Sequence, residues 1–270
     1  MSVHAGFVAG RRGRLLSVEF RPAGPPLHGV VVHLPAFAEE MNKSRRQVAL
    51  QARSLAAAGW RVVVADPYGT GDSEGDFGEA DWDLWLEDLA ALCEGLDAEQ
   101  PPLLWGLRTG VLLARALLER VAARGLICWQ PVLRGDQFLN QFLRLRLAAT
   151  MLGGGERETA ASLREQLRET GSLEVAGYRL SQHLATALEA AALSPPPNPL
   201  PTLWYEIVGN PQRRIGPASQ KLLERWREAG GDLHSEAVVG EPFWSTQEIH
   251  TAPALIGATT AALKGWETRA

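Results

Sequence analysis

Leu103-Leu104-Trp105-Gly106-Leu107-Arg108-Thr109-Gly110-Val111-Leu112-Leu113 decides how the rest of the chain is read. The apolar run 103–105 has the make-up of a buried strand. Residues 111–122 follow it, with Leu112, Leu113, Ala116, Leu117 and Val121 at helical spacing. Between them lies Gly106-Leu-Arg-Thr-Gly110, in the strand, turn, helix setting where Gly-x-Ser-x-Gly forms a nucleophile elbow. The outer glycines of such an elbow permit close backbone approach, and its central side chain is pushed to the top of a sheet over a helix N-terminus. A serine there accepts an acyl group; Arg108 cannot.

Outward from the elbow, strands and helices alternate. Strands are expected at residues 14–20, 29–33, 61–65, 125–129, 203–208 and 233–239, and helices at 44–58, 81–96, 217–229 and 253–263. This alternation predicts a mostly parallel central sheet with right-handed crossovers, flanked by helices. It lapses between residues 133 and 199, where amphipathic segments at 136–151, 156–169 and 181–192 are separated by glycine-rich stretches and closed by the proline-rich linker 194–201. The expected organisation is a core of residues 1–132 and 200–270, with a helical cap at 133–199 over the carboxyl ends of the strands.

The 270 residues suffice for one large hydrophobic core. A net charge of −4 with 21% charged residues gives no basic field for nucleic acid. No apolar run has the length of a signal peptide or of a membrane span, so the cytoplasm is the expected compartment. Cys93 and Cys128 fall in a helical and a strand pattern and read as small core residues in a reducing environment. Trp82 and Trp85 share a helix face with Leu86 and Leu89, the spacing of core residues rather than of a ligand platform.

Ligands of open α/β sheets bind beyond the carboxyl ends of the strands. That edge carries Glu39, Glu40, Asp66, Asp72, Ser73, Arg108, Gln130 and Trp244. A Ser, Asp, His triad in elbow order would need an acid after Val208 and a histidine after Val239. The chain offers Gly209-Asn-Pro-Gln212 and Gly240-Glu-Pro-Phe-Trp244, so all three positions are replaced. His250 lies too far past the strand for the role and reads as a surface residue; His33 ends a buried strand and reads as a core histidine. Ser73 has no elbow around it and reads more readily as a turn serine. Gly69-Thr70-Gly71 lacks the rest of a dinucleotide fingerprint, and no grouping has zinc-ligand spacing, so neither cofactor nor metal is expected.

The guanidinium of Arg108, placed at a helix N-terminus, needs a negative partner. Glu39, Glu40 or Asp72 supplies it internally, or the carboxylate or phosphate of a ligand does. These four residues are the candidate chemical groups; Phe37, Ser73, Thr109, Gln130 and Trp244 are the candidate ligand contacts. The backbone N–H of Thr109 occupies the position of an oxyanion donor.

The segments from His33 to Arg46 (HLPAFAEEMNKSRR), Gly71 to Gly78 (GDSEGDFG), Trp105 to Gly110, Trp129-Gln-Pro131, Gln141-Phe-Leu-Arg144, Ala176 to Leu180 (AGYRL) and Pro242-Phe-Trp244 resemble those of the exosortase A system-associated hydrolase 2 family. The resemblance runs over residues 29–263. It implies an α/β-hydrolase fold and an accessory role beside an exosortase, exopolysaccharide-synthesis and protein-sorting system of Gram-negative bacteria. It also implies that Arg108 and Pro242-Phe243-Trp244 are that family's own pattern. Two functions follow as expectations: a capped pocket that binds, and by ester or thioester chemistry processes, a small acyl or anionic metabolite without a serine acyl-enzyme; or a pseudoenzyme acting as scaffold or regulator for a partner protein of that system. Under the first, a carboxylate can activate water in place of a side-chain nucleophile.

Overall fold

A computed structural model describes residues 1–26, 28–96, 98–153 and 158–266. The all-buried strands β3 (Val30–Leu34), β5 (Leu103–Leu107) and β6 (Gly125–Trp129), with β4 (Arg61–Ala65) and β9 (Thr202–Val208), pair in parallel and are covered on both faces. Such strands carry continuous apolar runs rather than alternation, which is what made them visible in the sequence. β10 (Leu233–Val239) extends the parallel edge, while β1 (Ser2–Ala9) and β2 (Arg14–Arg21) form an antiparallel hairpin at the other edge. The order is β1-β2-β4-β3-β5-β6-β9-β10. The chain steps from β3 through α1 (Glu39–Ala57) to β4, then crosses over by α2 (Trp82–Glu94) to β5 on the other side of β3. The carboxyl ends of β3 and β5 therefore flank the switch in strand order, where open α/β sheets leave a crevice.

Helices cover both faces. α1 and α8 (Pro253–Lys264) enclose one core with Val31, Trp105 and Trp129. α2, α3 (Gly110–Leu117) and α7 (Pro217–Glu228) enclose the other with Val30, Val32 and Leu104. Phe138, Phe142, Leu163, Leu173 and Leu188, all from the segment between β6 and β9, belong to this second core, so that segment is packed continuously onto the sheet. It comprises α4 (Gly135–Gly153), α5 (Ala160–Thr170), β7 (Ser172–Val175), β8 (Tyr178–Ser181) and α6 (Gln182–Ala190).

The structure differs from the sequence reading in three places. The glycine-flanked stretch expected to separate helices is the β7–β8 hairpin, turning on Ala176 and Gly177, both at positive φ as a two-residue hairpin loop requires. Helix α1 begins at Glu39 instead of Ser44, because Glu39 and Glu40 favour the first turn of a helix without a side-chain cap. Strand β1 is exposed along nearly its whole length and shows no core-facing pattern to read. The first residues of the expected segment 156–169 lie outside the described residues. Among the described residues no helix is long and apolar enough to cross a membrane.

Gly110 marks the tightest approach in the core. A Cβ there would stand 2.1 Å from the Leu34 carbonyl oxygen and 2.6 Å from that of Pro35, pressing α3 off the end of β3. Gly110→Ala is expected to lower stability by about 1–3 kcal/mol, the usual cost of overpacking. Urea melts measure it, and an unchanged midpoint would show that the approach is looser than described.

Candidate functional site

Arg108 follows β5 with φ 57°, in the left-handed region that costs a non-glycine residue roughly 1–2 kcal/mol. The conformation is over-determined. The Arg108 N–H donates to the Trp129 carbonyl at 3.0 Å, and its own carbonyl accepts from Val111 at 3.1 Å and from Val132 at 3.3 Å. Gly106, whose added Cβ would lie 2.7 Å from the Gly110 carbonyl oxygen, lets the elbow close. Ala38 (φ 52°) and Gln130 (φ 42°) are strained likewise, just past the carboxyl ends of β3 and β6 on either side of β5. Strain clustered at adjacent strand ends marks a site held in place by its surroundings.

The guanidinium meets Glu40 on the first turn of α1. Nε lies 3.2 and 3.1 Å from the two carboxylate oxygens, and Nη2 lies 3.0 Å from Oε1. The two side chains are only 13% and 10% exposed, so this is a desolvated pair rather than a surface one. Burial pushes the Glu40 carboxyl upward, while Arg108 and then Lys43 pull it back. The guanidinium carbon stands 5.3 Å from the Trp244 ring and 6.0 Å from the Phe138 ring, within cation–π range of both. Trp244 comes from the loop after β10 and Phe138 from α4. Where a triad would place serine and histidine, this chain thus places a cation and an aromatic ring, and the loop after β9 closes only its own turn, with Asn210 accepting from Gln212 and Arg213.

A cavity of about 310 Å³ opens beside the pair. Glu39, Glu40, Lys43, Arg108, Gln141 and Ser245 give it polar groups, and Phe138, Phe142, Leu145 and Trp244 give it apolar walls. Glu40 occupies Nε and Nη2 of Arg108; among the described residues no group bonds Nη1. Glu39 is half-buried, and burial first, then the Glu40 charge, raises its carboxyl above the usual range. Its Oε2 has no hydrogen-bond partner among the described residues.

Of the residues singled out from sequence, the structure brings Arg108, Glu39, Glu40 and Trp244 to this cavity. Asp72 is exposed on another loop, where its N–H donates to Asp66 Oδ2, and Ser73 donates to the Asp66 carbonyl and accepts from the Leu16 N–H. Asp72 and Ser73 fall outside the cavity because Asp66 pins their loop to β2. Phe37 is buried in an aromatic cluster with Phe77, Trp85, Phe138 and Phe142, and Thr109 is buried at the start of α3. Gln130 joins β6 to β9, its N–H donating to the Tyr205 carbonyl and its Oε1 accepting from the Ile207 N–H. Cys93 and Cys128 are buried free thiols, and burial raises the first to about 12.

Lys43, Gln141 and Ser245 were not among the site residues singled out from the sequence. Lys43 stands one helical turn after Glu39, which identifies it once α1 is known to start at Glu39. Phe138, Gln141, Phe142 and Leu145 recur at helical spacing on α4, a pattern that a buried helix face produces equally well.

Parallel sheet, elbow and crossing helices define an α/β-hydrolase fold. The family model described as serine aminopeptidase, S33, matches residues 25–168, and the chain belongs to that family. No curated protein matches the sequence. Among solved structures the chain is similar to Est1E from Butyrivibrio proteoclasticus with ferulic acid bound, at 16% identity over 98% of each chain and a TM-score of 0.69. It is similar also to a proline iminopeptidase-related protein from Thermus thermophilus, at 18% identity over 97% of this chain and 98% of that one, TM-score 0.60. A thioesterase domain from the curacin biosynthetic pathway matches at 16% identity over 100% of both chains, TM-score 0.55.

Two expected outcomes follow from the pair. Arg108→Ala leaves the Glu40 carboxylate buried without its counter-charge and should destabilise by about 3 kcal/mol, whereas Arg108→Met with Glu40→Met should recover most of the loss. Equal losses in the single and double variants, read from denaturant melts, would show the pair to be energetically idle. Glu39 gives a pH signature. Its folded carboxyl titrates above the unfolded value, so the folded state holds the extra proton and stability falls as pH rises from that unfolded value through the folded one. Glu39→Gln should therefore match the parent chain in acid and be the more stable protein at neutral pH; a constant difference across pH 4 to 8 would contradict the shift.

Proposed function

We propose that this chain is a cytoplasmic accessory protein of an exosortase and exopolysaccharide system, and that it binds a small anionic or acyl metabolite in the cavity over Arg108 without forming a serine acyl-enzyme. The observation that carries this reading is an arginine, held at positive φ and ion-paired, in the nucleophile's place. The remaining guanidinium donor, Nη1, and the ammonium of Lys43 favour a carboxylate or phosphate, and the surrounding aromatic rings suit its apolar body. The names of two structural neighbours, Est1E with ferulic acid bound and a thioesterase domain, are in keeping with an acyl or carboxylate ligand. The system role rests on the resemblance of the long motifs around residues 33–46, 71–78 and 105–110. Any hydrolysis at this site would use a water, with Glu39 as the carboxylate whose oxygen is unengaged.

A second reading, a pseudoenzyme acting as scaffold or regulator, is favoured by one specific fact: Glu40 already neutralises the guanidinium, so the elbow is complete without a ligand. Two measurements separate these readings. A fluorophosphonate probe should leave the protein unlabelled, and stoichiometric labelling of a serine or threonine would overturn both. In a thermal-shift series of short carboxylates, organic phosphates and acyl esters, the binding reading expects at least one stabiliser. At a hundredfold excess over Kd the gain is about 2.7 kcal/mol, and Lys43→Met should abolish it. If no compound raises the melting temperature, the scaffold reading replaces it.

A further inference from the structure

On the opposite side of α1 from the Arg108 site, a second cavity of about 180 Å³ lies between that helix and strands β2, β4 and β3. Its walls are Val18, Phe20, Met41, Val48, Ala49 and Val64, with Leu107 at its floor. It opens outward where Val18, Val64 and Ala49 are only half-buried. An apolar cavity of about 150 Å³ engineered in another protein takes up benzene, so this one has room for a six-membered ring with a substituent.

Two of the polar groups around it bond within the protein. Arg45 Nη2 donates to Asp66 Oδ2 at 2.8 Å at the rim, and Ser44 donates to the Glu40 carbonyl at 2.6 Å. His33 is 2% exposed and points into the cavity from β3. Its Nδ1 lies 3.1 Å from the Trp105 carbonyl oxygen; a carbonyl only accepts, so Nδ1 carries the hydrogen and Nε2 is left as an acceptor. Among the described residues nothing bonds Nε2. Burial, with Arg45 nearby, holds the imidazole down at about 3, so it is a neutral acceptor at every working pH. Nε2 faces the cavity as an open acceptor, and a donor placed there would gain a hydrogen bond.

We propose that this cavity is a binding site for a small apolar molecule bearing one hydroxyl donor, an alcohol or a phenol, whose O–H is accepted by His33 Nε2. A carboxylate gains nothing from Nε2, since it would present only acceptors to an acceptor. The site is separate from the one over Arg108 and stands or falls independently of it.

Fluorine NMR on the full chain tests the proposal with two probes, 4-fluorophenol and fluorobenzene. The phenol should bind about tenfold more tightly, the worth of one hydrogen bond at roughly 1.4 kcal/mol. His33→Leu should erase that difference while fluorobenzene still binds. Ala49→Phe, or Val18→Phe from the opposite wall, should weaken both probes at least tenfold by filling the mouth, and these variants keep the test decisive if His33→Leu does not fold. Equal affinity of the two probes for the unaltered chain, no binding of either, or unchanged binding in the mouth variants would overturn the proposal.

Discussion

A guanidinium fixed at the start of a helix is the constraint around which this molecule is arranged. The first turn of α3 is the positive end of a helix dipole, and Arg108 adds a full positive charge of the same sign. Left unpaired, a largely buried charge of this kind costs about 3–5 kcal/mol. Glu40 neutralises it from the first turn of α1, where a carboxylate is itself welcome. One carboxylate thereby serves the N-terminus of α1 and the guanidinium, and it joins the β3–α1 unit to the β5–α3 unit across the switch in strand order. Trp244 and Phe138, on the two flanks of the guanidinium, tie the loop after β10 and the helix after β6 to the same charge. What an acyl-transferring relative would use as a reaction centre is here a clamp.

The sheet was legible because its parallel strands are buried on both faces, and Val30–Leu34, Arg61–Ala65 and Gly125–Trp129 leave uninterrupted apolar runs between turn residues. The elbow was legible because its glycines are irreplaceable, and the loss of the triad followed from three positions whose strand ends could be counted. Partner choice was not. Glu39, Glu40 and Asp72 are equally acidic on paper, and what separates them is that α1 begins at Glu39 while the Asp72 loop is pinned by the Asp66 carboxylate and by Ser73. The β7–β8 hairpin was hidden by its brevity, four residues a strand. Lys43, Gln141 and Ser245 were hidden because sites assembled from separate elements have no local signature.

The segment between β6 and β9 also contributes to the support of the ion pair. Here Phe138 and Phe142 on α4 extend the core that begins with Phe37 and Trp85, and the same two rings wall the cavity over Arg108. The segment between β6 and β9 is therefore part of the hydrophobic support of the ion pair.

Helix α1 is where these features converge. Its first turn carries Glu39 and Glu40, and Lys43 follows on the side of the Arg108 cavity, while Met41, Arg45, Val48 and Ala49 line the cavity under the sheet edge. The helix is anchored at neither end by a side-chain cap; what holds its N-terminus is the Glu40 pair and what holds its middle is burial of Ala52, Leu55 and Gln51. The spacing of charged and apolar residues over residues 39–52 thus makes one element the common wall of two cavities, one lined by charged and aromatic groups and the other largely apolar.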